Sequence, residues 1–128
     1  VENMCPHKEV FDTGVPTFFG TDGMPDSMLF GIFCAANAPA ECQYLDYEKS
    51  IEASCAAVAD YEGDNRGRLA EGCKADLVLA DKSMFASLAK QPDPVVLGMM
   101  KMFELEGKVK RVFKDGVQVV PKPKPPKS

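Results

Sequence analysis

The run Val15-Pro16-Thr17-Phe18-Phe19-Gly20 constrains this chain more than any other feature. It is apolar at almost every step, does not alternate, and is bounded by Gly14 before it and Asp22-Gly23 after it. A strand with one wet face alternates, whereas a continuous apolar run suits a strand covered on both faces, as in parallel sheets flanked by helices. Pro16 has no N–H to give to a ladder and fits only at the strand's start. Such a strand needs neighbours, because a bare edge exposes a row of backbone donors and acceptors.

The rest of the chain divides into two units. Leu29 to Asn37 is an apolar stretch with small residues and reads as a short buried helix ending before Pro39. Asp46 can cap a third element, in which Tyr47, Ile51, Cys55 and Val58 recur at helical spacing while Glu48, Lys49 and Glu52 fall on the other side. The segment Glu62-Gly63-Asp64-Asn65-Arg66-Gly67 terminates it. The period then changes. Ala75 to Ala80 is a strand candidate after the turn Glu71-Gly72, and Val109 to Phe113 and Val117 to Val120 flank Asp115-Gly116. An Asp-Gly pair between β-branched runs signals a hairpin, since the tight turn needs positive φ at both central positions. Asp93-Pro94 can open a helix as N-cap and first residue, with Val96, Leu97, Met100, Phe103 and Leu105 as its apolar content. Met99, Met100 and Met102 read as core filling, because methionine packs irregular gaps.

Charge follows the same division. Residues 1–66 hold 12 acids and 3 bases, and residues 67–128 hold 7 acids and 12 bases. The expected units are therefore 1–66 and 67–120. Pro121 to Ser128 is a Pro/Lys tail with nothing to fill a core, expected to be disordered, extended and solvated.

Composition excludes several classes. With 128 residues, 45% of them apolar and 27% charged, the chain is an ordinary globular sequence with one modest core. No window approaches the roughly 18 consecutive apolar residues of a membrane span, and no signal peptide is legible, so no membrane partner is expected. A net charge of −4 argues against nucleic acid. Cys5, Cys34, Cys42, Cys55 and Cys73 are odd in number and lack C-x-x-C spacing, which points to free thiols in a reducing, cytoplasmic compartment. With His7 as the single histidine, a complete histidine-rich metal site cannot come from this chain alone. Cys5 and His7 could ligate a metal as C-x-H, but two ligands without a third read better as a surface loop. The first residue is Val1, so the chain is expected to begin inside a longer reading frame or to have been cut there.

Asp22 is the residue that stands out for chemistry. It lies where the apolar run gives out, and in parallel α/β architectures catalytic groups gather at the carboxyl ends of strands. A carboxylate there can bind a metal, accept a proton from the attacking water and return it to a leaving group. On local sequence alone, a plain turn in which Asp22 caps its own backbone is the stronger reading.

A resemblance spread along the chain reverses that balance. Val15 to Met24, Leu29-Phe-Gly-Ile32, Ala35-Ala-Asn37, Gly67 to Asp81 and Val109 to Val117 together resemble the C-terminal end of a metal-dependent amidohydrolase, nearest to the imidazolonepropionase-like and related cyclic-amide hydrolases. The most specific piece is Gly67 to Asp81, similar to the pattern G-x-L-x-x-G-x-x-A-D-L-V-x-x-D, followed in order by the V-x-x-V-x-x-D-G hairpin. The resemblance implies an α/β architecture: the last strand-helix repeat of a TIM-type barrel, then C-terminal strands of a small β-sandwich. It also implies cleavage of a non-peptide C–N bond (cyclic amide, amide or amidine) in a small molecule by metal-activated water. Asp22 then matches the aspartate at the end of the last barrel strand, which touches the metal and shuttles the proton. The implied cofactor is a divalent metal, zinc before iron or manganese. The family's H-x-H pair and its middle-strand histidines have no counterpart here. Ser83 to Glu106 is longer than the family's usual connection between sandwich strands.

The expected partner is a complementary N-terminal chain or segment of the same hydrolase carrying the other barrel repeats, with a homo-oligomer as a further option. The alternative to an enzyme is a non-catalytic α+β protein-interaction domain, or a scaffold remnant of the family that dimerises by swapping strands.

Overall fold

The computed structural model describes residues 6–23, 26–92 and 98–122. After α1 (His7–Asp12), the chain runs through Val15–Gly20 without regular structure and turns at Asp22-Gly23. It enters α2 (Met28–Ala36) through Ser27, whose Oγ accepts the Phe30 N–H at 3.3 Å. A serine oxygen in this position satisfies one of the orphan donors of the first turn. α2 buries Ile32, Phe33, Ala35 and Ala36, as its apolar sequence predicts.

A single turn of 3-10 helix at Glu41–Gln43 leads to α3 (Tyr47–Ser54). Asp46 caps α3 by accepting the Lys49 N–H at 3.0 Å, as expected from the sequence. The helix does not run through to the glycines, however. Cys55 takes φ −121° and ψ −74°, and a separate α4 (Ala56–Glu62) follows, closed by Gly63 in the left-handed region at φ 69°. Glycine is the usual residue at such a helix end. The break rotates α4 out of phase with α3, so the deepest positions are Ser50, Ala53 and Ala59, while Tyr47, Ile51 and Val58 are half-buried and Cys55 is exposed. Small residues at those depths let the backbones approach, which a stripe of large apolar residues would prevent.

The buried cluster joins Ile32 and Phe33 of α2 to Met84 and Leu88 of α5 (Met84–Leu88) and Leu105 of α6 (Gly98–Gly107). Leu88 and Leu105 are almost fully enclosed, each worth roughly 1.5–3 kcal/mol of apolar transfer. Asp93, Pro94, Val96 and Leu97, read as the start of the last helix, lie outside the described residues, as does the side chain of Met99. The expected core filling by Met100 is overturned, for it is largely exposed, and Phe103 of the same helix is exposed too. Lys101 takes the inner face instead, because it stands one helical turn before Leu105 on the same side.

The strands are β1 (Leu77–Ala80), β2 (Val109–Lys114) and β3 (Val117–Val120), in the antiparallel order β1-β2-β3. Val78, Val112 and Val120 stand in register across it. Asp115 and Gly116 take φ 48° and 79°, the doubly positive turn that the Asp-Gly signal demands. The chain is thus mixed α/β, with one small antiparallel sheet. Among the described residues there is no second sheet facing it and no parallel pair.

The expectation that Val15–Gly20 is a buried strand is not met. No strand is assigned there, and Val15 and Phe18 are exposed. The backbone bond that reaches another element runs from Phe19 N to Ala53 O at 3.4 Å. Apolar content specifies burial but not a partner, and a strand exists only through the ladder it shares. Of the Pro/Lys tail, Pro121 and Lys122 are exposed, and 123–128 lie outside the described residues. No helix among the described residues is long and apolar enough to cross a membrane.

Candidate active site

Asp22 sits in the turn that follows the apolar run, with φ 52°, and Gly23 beside it has φ 77°. Aspartate and glycine are among the few residues that enter the left-handed region readily, so Asp22-Gly23 reverses the chain at small cost. The carboxylate is exposed. Five residues on, Ser27 fixes the outgoing end of this loop. Its hydroxyl donates to Glu106 Oε1 at 2.6 Å, tying the entry of α2 to the last helix across 79 positions of sequence.

Upstream of the turn, Phe18 stacks at a tilt on Tyr61 with ring centroids 5.0 Å apart, and Phe19 lies 6.3 Å from the His7 ring. His7 therefore opens a helix beside the apolar run, which corrects the surface-loop expectation, while Cys5 lies outside the described residues. Below these rings is an open cleft of about 1030 Å3, walled by Phe18, Phe19, Phe30, Phe33, Cys34 and Asn37 among others. Burial pushes the Cys34 thiol up, which keeps it protonated and a poor nucleophile near neutral pH. Asp22 and Asp26 do not line this cleft, and Met24 and Pro25 lie outside the described residues.

A divalent metal needs several donors converging on one point. Among the described residues no three His, Cys, Asp or Glu side chains are grouped closely enough to hold one. Asp22 offers a single exposed carboxylate, and His7 is drawn to Phe19 rather than to a second ligand. The described residues of this chain do not by themselves fit a metal.

Three supporting groups leave little or no signal in the sequence. Asn37 is buried, donates to Phe33 O at 2.9 Å and accepts the Gln91 N–H at 2.6 Å, pinning the 88–91 segment to the end of α2. Its signal was faint: one amide side chain closing an apolar helix before Pro39. Ser27 with Glu106 gave no signal, being far apart in sequence. Lys101 is 4% exposed, with Nζ 3.1 Å from Glu104 Oε2 and 5.1 Å from the Phe33 ring centre. Burial pushes the Glu104 carboxyl up, but the Ser87 hydroxyl and the Lys101 ammonium outweigh it and the net direction is down. An ammonium under an aromatic face and beside a carboxylate is a stable way to bury a lysine.

The Asp-Gly turn at 22–23, the capped α2 and the β1–β3 sheet follow one another along a chain of mixed α/β architecture. The model for the amidohydrolase family matches residues 1–119, and the chain belongs to that family. No curated protein and no solved structure matches it.

Proposed function

We propose that this chain is the C-terminal part of the catalytic unit of a hydrolase that cleaves a non-peptide C–N bond in a cyclic amide, amide or amidine. The observation that carries the reading is the family match, which runs through Asp22, the Gly67–Asp81 segment and the Asp115-Gly116 turn. In this reading Val15–Gly20, irregular in this chain alone, forms the last barrel strand when an N-terminal segment or chain carrying the remaining repeats pairs with it. The antiparallel sheet is the C-terminal share of the small sandwich. Asp22 takes the proton of the attacking water and hands it to the departing nitrogen, a role that suits an accessible carboxylate in a constrained turn. A divalent metal, zinc before iron or manganese, supplies the acidity of that water when bound, with Asp22 as one ligand and the others contributed from outside the described residues.

The test is Asp22→Asn in the assembled protein, assayed against a panel of cyclic amides, amides and amidines. Loss of a proton-transfer group costs typically 10²- to 10⁴-fold in rate, so turnover should fall by about that much while the far-UV spectrum and melting curve stay put. Turnover retained at the parent level would sink the assignment.

A further inference from the structure

The sheet and the helices meet through few apolar contacts. Among the described strand residues, only Val109 packs against the buried cluster around Leu105. The two ends of the sheet are held by polar groups instead. At one end Asp81 N donates to Lys108 O at 2.8 Å, Lys108 Nζ donates to Ser83 Oγ at 2.7 Å, and Asp81 Oδ1 accepts from the Ser83 N–H at 2.9 Å. These bonds join β1 and β2 to the start of α5.

The other end converges on Asp76. Its Oδ1 accepts the Asp115 N–H at 2.8 Å, in the hairpin turn, while its Oδ2 lies 2.7 Å from Arg66 Nη1 and 3.5 Å from Lys114 Nζ. Arg66 Nε also reaches Asp64 Oδ2 at 2.6 Å, and Lys74 Nζ reaches Asp64 Oδ1 at 3.0 Å. Two backbone bonds run alongside, Lys74 N to Asn65 O at 2.8 Å and Gly116 N to Ala75 O at 3.0 Å. Arg66 belongs to the loop after α4, and its neighbour Gly67 is pressed against the Cys55 carbonyl, so this loop is seated on the helices.

We propose that Asp76 is an electrostatic latch: its carboxylate fastens the β1–β3 sheet to the loop after α4, and when it opens the sheet moves about the Asp81–Lys108 end. The side chains of Arg66, Asp64 and Asp76 are 25%, 27% and 25% exposed. Ions therefore reach the latch, and salt weakens it, whereas the apolar contacts that hold α2 to α5 and α6 are insensitive to salt of this kind.

Hydrogen exchange on the 128-residue chain tests this, comparing the parent with Asp76→Asn and with Arg66→Met. Asparagine can still accept the Asp115 N–H but has lost the charge. Exchange at the Lys74, Asp115 and Gly116 amides should quicken by at least about fivefold in both variants, while Gly31 in α2 and Asp81 at the pivot keep parent rates. Raising the salt to about 1 M should produce the same local change in the parent and add little in Asp76→Asn. Unchanged exchange in both variants, or an equal rise throughout α2 and the sheet, would overturn the latch. If a variant does not fold, the parent's salt series decides alone, for local acceleration supports the latch and its absence removes it.

Discussion

Gly67 shows how much a single position can depend on tertiary contact. Its φ of 77° already favours glycine, and a Cβ placed there would lie 2.5 Å from the Cys55 oxygen and 2.9 Å from its carbonyl carbon. Backbone cannot yield as a flexible side chain can, so Gly67→Ala should cost about 1–3 kcal/mol. Gly72, with φ 85° and nothing within 4 Å, is the control, since alanine there meets only the conformational penalty. Urea unfolding of both variants measures the difference, and equal losses would rule out the close approach as the cause. In the sequence Gly67 is visible as the end of a helical stretch and the first residue of the Gly67–Asp81 motif, neither of which names the carbonyl it touches; that is set by the break at Cys55. Asp115 was fully legible by contrast, because a two-residue turn is decided by sterics within four residues. Asp22 lies between these cases: its turn geometry follows from Asp-Gly, but its chemistry rests on family resemblance.

Among the elements, α2 was read almost to its ends, and its cap lay just upstream of the apolar stretch that announced it. Ser27→Ala removes both the acceptor for the Phe30 N–H and the donor to Glu106, with a loss of about 1 kcal/mol expected from the cap. A thermal melt detects this, and a Ser27→Ala midpoint equal to the parent's would show that the cap contributes nothing. Because the turn holding Asp22 runs into this cap, the same change should also lower turnover in the assembled protein. The apolar spacing continues past Cys55 and predicts one helix where the structure has α3 and α4, since spacing carries no information about a local break. Val15–Gly20 failed differently. Its composition asks for a covered strand, but pairing is a property of two segments, and the described residues provide no second one.

For the molecule as a whole, electrostatics outside the core sets the acid response. The Arg68 guanidinium holds the Asp60 carboxyl low, Lys74 and then Arg66 do so for Asp64, the Asp115 N–H for Asp76, and the Ser83 N–H for Asp81. A carboxyl lowered on folding binds fewer protons than in the unfolded chain, so its contribution is complete above about pH 4 and disappears as pH falls through the lowered value. Solvent screening trims each contribution, since all four side chains are reached by water. The urea midpoint should therefore be flat from about pH 7 to 5 and drop below about pH 4, with a shallower drop in Asp76→Asn. A midpoint that rises on acidification would contradict the assignment of these pairs.

The sequence by itself determined whatever is settled within a few residues: the doubly positive turn at Asp115-Gly116, the Asp46 cap, the apolar α2, and the ordered motifs that mark the amidohydrolase family. Only the tertiary structure decided which side chains face inward on α6, where the helix after Asp46 breaks, and that Ser27 meets Glu106 and Asp76 meets Arg66. The physical reason is range. Backbone sterics and capping act over one turn of chain, whereas burial and charge pairing depend on segments that sequence distance does not relate.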